Sequence, residues 1–216
     1  MSRRVKRLER KLKLELRRGG IRPVDKLMII YDGSVRGKVL TYALWRVEKE
    51  YPQVDLAVLT DPLIEISKED ISFVEGMGFK VVVPSVMNPP LKSLTAYYLF
   101  RRAILERYRK AEGYFKSILD ITLDEYSCIA LRALVTGNLS PLRNLLKPPL
   151  IAPLIKVKLS ELISYFKVSN LPGRKVVRFG PLDDLDIACW RTLNEISSAK
   201  MDLGYSMLKT LRKLTE

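Results

Sequence analysis

The stretch Met28-Ile29-Ile30-Tyr31-Asp32-Gly33-Ser34-Val35-Arg36-Gly37-Lys38-Val39-Leu40 decides the fold. Residues 27–31 form a continuous apolar run, as in a strand covered on both faces. Two glycines mark the turn at 32–38, and helical spacing follows over 39–50, with Val39, Leu40, Ala43, Leu44 and Val47 on one side. A strand end, a glycine loop and a helix N-terminus together present backbone N–H groups to an anion. Asp32, Gly33, Ser34, Arg36, Gly37 and Lys38 are therefore the candidate phosphate-binding residues, two of them cationic.

Outward from this stretch the pattern repeats. Residues 54–60, 79–83 and 116–121 read as further strands, and 150–154 as a candidate fifth. Helices are expected over 67–77 behind a Ser-Lys-Glu-Asp cap, 91–113, 123–135, and 161–167 behind Ser160, with a turn at 87–90 and a proline-containing loop at 140–149. The inner face of the long helix is expected to carry Leu94, Tyr97, Tyr98, Ile104 and Leu105. Strand–helix–strand units at this spacing predict an α/β fold with a parallel sheet and right-handed crossovers. Residues 2–18 predict a basic amphipathic helix with Val5, Leu8, Leu12 and Leu16 as its apolar stripe. After Pro172-Gly173 the pattern changes: 175–179 is short and extended, and 193–214 largely helical. The expected division is a basic N-terminal helix at 1–24, an α/β domain at 25–171 and a helical C-terminal extension at 172–216.

Charge narrows the partners. The 216-residue chain has 38 Lys and Arg against 24 Asp and Glu, a formal charge of +14. That exceeds what solubility requires and favours a polyanion, nucleic acid first. Arg3, Arg4 and Arg7 on the first helix and Arg101, Arg102, Arg107, Arg109 and Lys110 on the long helix are the candidate contacts, against the plainer alternative of solvated faces. Histidine is absent, which removes His bases and His-ligated zinc. Cys128 and Cys189 lie far apart in sequence and form no metal-binding pair motif. No apolar run is long enough to span a membrane and no signal-type apolar region follows the basic N-terminus, so a cytoplasmic protein without membrane contact is expected.

The order of these elements and several local words resemble the PP-loop (N-type) ATP pyrophosphatases, of the branch that makes 2-thiocytidine and 2-thiouridine in tRNA. The resemblance runs over residues 3–216. In the family's Ser-Gly-Gly-x-Asp-Ser slot stands Asp32-Gly33-Ser34-Val35-Arg36-Gly37. Thr60-Asp61-Pro62-Leu63-Ile64 and Gly76-Met77-Gly78-Phe79-Lys80-Val81 fit its next words. Its Cys-x-x-Cys-Gly-x-x-Arg-Arg keeps Arg101-Arg102, but the cysteine slots fall at Leu94 and Tyr97. Its Gly-His-x-x-Asp-Asp becomes Asp120-Ile121-Thr122-Leu123-Asp124-Glu125. Ala152-Pro153-Leu154, Glu161-Leu162, Tyr165, Leu171-Pro172 and the closing helical stretch from Tyr205 to Leu211 also match. No single word is specific; their order is.

The resemblance implies an adenine-nucleotide-hydrolase-like (HUP, PP-loop) parallel sheet flanked by helices. It also implies a loss of chemistry. The family's motif Asp, placed near metal-bound phosphates, is Arg36, which cannot hold Mg²⁺. Ser34 in a glycine slot would change the backbone path if that position needs a positive φ. Leu94 and Tyr97 can relay no sulfur and hold no cluster, so neither zinc nor an iron–sulfur centre is expected, and no catalytic residue is assigned. Asp124 and Glu125 read most simply as helix N-terminal carboxylates. The expectation is a pseudoenzyme that binds tRNA or other RNA, or pairs with an active PP-loop paralogue or with itself. Eukaryotic cytosolic thiouridylases contain such a degenerate subunit. Two alternatives stay open: an altered enzyme taking ATP or AMP at residues 32–38 and acting on RNA, and a structural subunit of a ribonucleoprotein.

Overall fold

The computed structural model describes residues 3–22, 24–48, 55–85, 89–173, 175–177, 180–198 and 203–215. Its centre is a five-stranded, all-parallel sheet in the order β3-β2-β1-β4-β5. The strands are β1 (Lys26–Tyr31), β2 (Asp55–Thr60), β3 (Lys80–Val82), β4 (Lys116–Ile118) and β5 (Leu150–Ile151). Parallel pairing requires crossovers, and the helices that supply them cover both faces.

Side chains alternate across a strand, so the unbroken apolar run of β1 serves two cores at once. Leu27, Ile29 and Tyr31 pack with α1 (Arg3–Arg18), α2 (Val35–Glu48) and α7 (Leu159–Val168). Met28 and Ile30 pack with α4 (Leu94–Ala111), α5 (Leu123–Val135), α6 (Ser140–Leu145), α8 (Asp184–Ser198) and α9 (Leu203–Thr215). The apolar stripe of α1 is as expected: Val5, Leu8, Leu12 and Leu16 are buried. Each such side chain contributes about 1.5–3 kcal/mol of burial. The predicted inner face of α4 is buried throughout.

Several expectations need correction. The loop at 140–149 contains α6, whose first turn Pro141 favours. The fifth strand is only two residues long. Ser160 does not cap α7: the N-cap is Lys158, and Asp124 of α5 accepts the Leu159 N–H at 2.6 Å instead. The C-terminal helical stretch is two helices, and the first starts at Asp184, where Asp183 accepts the Asp186 N–H at 2.9 Å. Residues 175–177 form no strand; Arg178 and Phe179 lie outside the described residues, as do Val54, Met87 and Asn88 of other expected elements. No described helix is long and apolar enough to cross a membrane.

Candidate functional site

Strand order reverses between β1 and β4, and in open α/β sheets ligands bind outside the strand ends at that switch point. Three strands deliver an aspartate there. Asp32 follows β1, Asp61 follows β2 and Asp120 lies two residues beyond β4, all of them buried. The fold therefore gathers carboxylates that sequence separates widely.

The loop is held by its own groups. Asp32 accepts the Ser34 N–H at 2.9 Å, the Ser34 hydroxyl accepts the Gly37 N–H at 3.4 Å, and the Ser34 carbonyl accepts the Lys38 N–H at 2.9 Å. Gly33 has φ 69°, a left-handed conformation that glycine adopts without strain. Ser34 does not: among the described residues only Asn170 is a non-glycine at positive φ. The altered backbone path considered for Ser34 is therefore not needed.

Arg36, in the first turn of α2, points into the aspartates. It is 2% exposed. Its guanidinium bonds Asp32 at 2.7 Å, Asp120 at 3.0 Å and Glu125, with the Tyr97 hydroxyl at 3.4 Å. Arg101, expected on a basic surface, is instead fully buried: it bonds Asp120 at 2.6 and 3.2 Å and lies 2.8 Å from Asp61. The Tyr97 hydroxyl donates to Asp61 at 3.2 Å, and the Tyr97 and Tyr98 rings lie 5.1 and 5.6 Å from the Arg101 guanidinium carbon. Glu125 serves two partners. One oxygen closes a capping box on the Thr122 N–H at 3.0 Å, and the other meets Arg36.

Four carboxylates thus surround two guanidiniums out of water. Burial alone would raise the Asp32 carboxyl, but Arg36 and Arg101 hold it well below the usual range. Burial wins at Asp61, which is raised despite Arg101, and at Glu125, raised despite Arg36. Both guanidiniums stay charged: burial lowers them, but Glu125 and Asp32 beside Arg36, and Asp120 beside Arg101, raise them well above normal.

The remaining loop groups are also engaged. Lys38 is 1% exposed and bonds Asp70 at 2.6 Å. The Val35 N–H, at the start of α2, donates to the carbonyl of Val176 at 2.8 Å. The segment after Leu171 thus folds back over the loop, with Gly173 so close that a Cβ there would meet Lys38 Nζ at 2.7 Å. Gly180 lies likewise against Tyr97 and Leu94. Leu94 and Tyr97, in the cysteine slots of the resemblance, are core residues. Cys128 and Cys189 are buried free thiols, and burial pushes Cys128 up to about 12.

Of the other expected nucleic-acid residues, Arg7, Arg107 and Lys110 are exposed. Arg102 is half-buried and donates to the Lys147 carbonyl at 3.3 Å. Arg109 is tied into the end of α4, to Glu106 at 3.0 Å and the Tyr114 carbonyl at 2.7 Å. Arg3 and Arg4 belong to α1, but their side chains are outside the described residues.

No family profile matches the chain, and no curated protein matches it in sequence. Solved structures do. The U34-tRNA thiolase NcsA from Methanococcus maripaludis, solved with its 4Fe–4S cluster, superposes with a TM-score of 0.81 at 17% identity, over 98% of this chain and 80% of that one. An NH3-dependent NAD synthetase from Campylobacter jejuni and an NMN synthetase from Francisella tularensis each give a TM-score of 0.55, at 13% and 12% identity, over 99% of this chain and 93% of theirs. All three are PP-loop proteins, and this chain has the PP-loop ATP pyrophosphatase fold.

Proposed function

We propose that the chain is a non-catalytic PP-loop protein related to tRNA thiolation, which binds tRNA or another RNA, alone or beside a catalytically intact PP-loop partner. One observation carries this reading: the Arg36 guanidinium is locked among Asp32, Asp120 and Glu125 at the switch point. A Mg²⁺–nucleotide needs carboxylates free to bind metal, but here a fixed internal cation already bonds three of them. It also needs loop N–H donors for phosphate, and the Val35 N–H is spent on Val176. These residues do not fit a magnesium nucleotide, nor do Leu94 and Tyr97 fit an iron–sulfur cluster, so no reaction step is assigned. The basic surplus and the likeness in fold to a tRNA thiolase support RNA as the partner.

Gel shift with unmodified tRNA at 50 and 200 mM salt tests the RNA half. Four phosphate contacts would weaken binding on the order of 100-fold between those salts. No binding at 50 mM would refute it. Calorimetry with MgATP and with AMP tests the other half: no binding heat is expected, and micromolar binding by either would overturn the non-catalytic reading.

A further inference from the structure

A concavity of about 690 Å³ lies along the outer edge of β5, which pairs with β4 on its other side. It shares no lining residue with the charge cluster. Its size is within the range of about 300–1,000 Å³ typical of small-molecule sites. Four segments build it: the end of α1, Tyr126 of α5, α6 with its exit, and the stretch from β5 to Ile155.

The lining separates by chemistry. Arg18, Arg143 and Lys147 are exposed at the rim. Among the described lining residues the one carboxylate is Glu15, buried and bonded by Arg18 and by Lys156, each at 2.7 Å. The groove is therefore left with a cationic excess. Leu142, Ile151 and Ile155 give it an apolar, buried floor. The groove is also continuous with the basic helix: α1, with Lys6, Arg7 and Arg10 exposed along it, ends at this rim.

A cationic rim over the apolar Leu142, Ile151 and Ile155 floor suits phosphates spaced around an unstacked base. A duplex keeps its bases stacked inside, whereas a single strand can turn one out. We propose that this groove receives an unpaired nucleotide of RNA, its base on the Leu142 and Ile151 floor and its flanking phosphates at Arg18, Arg143 and Lys147. The inference rests on the RNA-binding reading above and adds where an unpaired strand is taken.

The test is fluorescence anisotropy with the full chain. The probes are fluorescein-labelled ten-residue oligouridylate, the same length of abasic strand, and a ten-base-pair RNA duplex. Oligouridylate should bind the wild type more tightly than the duplex, and about tenfold more tightly than the abasic strand, the scale of burying about 55 Å² of base surface on an apolar floor. The double variant Arg143→Glu/Lys147→Glu changes two exposed side chains. It should weaken oligouridylate binding at least tenfold and reduce the slope of log affinity against log salt by about 1.4, two single-strand phosphate contacts. Unchanged oligouridylate binding in this variant, with tRNA still bound, overturns the groove and leaves RNA binding standing. Equal affinity for oligouridylate and the abasic strand overturns the base site. Failure of the wild type to bind either tRNA or oligouridylate overturns both readings.

Discussion

Arg36→Met removes the cation that three buried carboxylates share and keeps most of the side-chain volume. Asp32 loses a 2.7 Å contact, Asp120 a 3.0 Å contact and Glu125 its guanidinium partner, with Arg101 left to Asp120 and Asp61. Breaking a buried pair from one side costs about 3–5 kcal/mol, because the charge left behind is unpaired. With an m-value of about 2.5 kcal/mol per molar urea, a loss of about 4 kcal/mol lowers the unfolding midpoint by about 1.5 M. The pH dependence gives a sharper signature. In the wild type the Asp32 carboxyl is depressed, so its contribution is present above the ordinary carboxylate range and is lost as pH falls from that range down through its depressed folded value. The Asp61 and Glu125 carboxyls are raised, so their contribution is present at low pH and is lost as pH rises through their folded values. Without Arg36, Asp32 loses its main lowering partner and Glu125 rises further. The folded variant then binds more protons than its unfolded chain, and its stability falls as pH rises. The gap to wild type should therefore be wide at pH 7.5 and narrow at pH 5.0, in urea titrations followed by Trp45 and Trp190 emission. A gap under about 1 kcal/mol at pH 7.5, or one of the same size at pH 5.0, would refute the reasoning.

Two further outcomes follow from the same region and its surroundings. Gly37→Ala would place a Cβ 2.9 Å from Asp32 Oδ1 and 3.5 Å from the Asp32 nitrogen, so about 1–3 kcal/mol of stability should be lost; an unchanged urea midpoint would count against this packing. Both thiols are buried and burial raises both, so Ellman's reagent at pH 8 should leave the native protein unlabelled and titrate Cys128 and Cys189 in urea. Rapid reaction of a native thiol would contradict their burial.

β1 and the turn at Gly33 were legible because a strand covered on both faces must be continuously apolar and a glycine then marks the turn; α2, expected from 39, starts instead at Val35, with Gly37 inside its first turns. The buried face of α4 was legible from its spacing, and that spacing carries a lesson at Arg101. Positions 94, 97, 98, 101, 104 and 105 share one helical face, so periodicity alone places Arg101 inside. Its residue type argued for the surface, because its partners Asp61 and Asp120 are remote in sequence. Glu125 is both things at once: the helix-start carboxylate expected from its position, and a ligand for Arg36 that no local rule reveals. A signal for the cluster was present in Asp32, Asp61 and Asp120, each at or just beyond the end of an apolar run. What sequence could not supply was that parallel strands bring those ends to one edge. The return of Val176 to the loop was equally hidden, since a backbone carbonyl leaves no trace in side-chain patterns.

The switch-point cluster also has an order of assembly. On a growing chain Arg36 emerges beside Asp32, whereas Asp120 and Glu125 follow 84 and 89 residues after it and Val176 later still. Until β4 joins the sheet and α5 packs behind it, the guanidinium has one nearby carboxylate and no reason to leave water. Its dehydration is therefore expected late in folding, once the β1–β2 pair and the α1–α2 face can form. In refolding experiments Arg36→Met should accordingly speed unfolding and leave the folding rate nearly unchanged. The loop at the head of α2 thus draws its partners from segments as far along the chain as Val176, so it closes only when the two ends of the fold have come together.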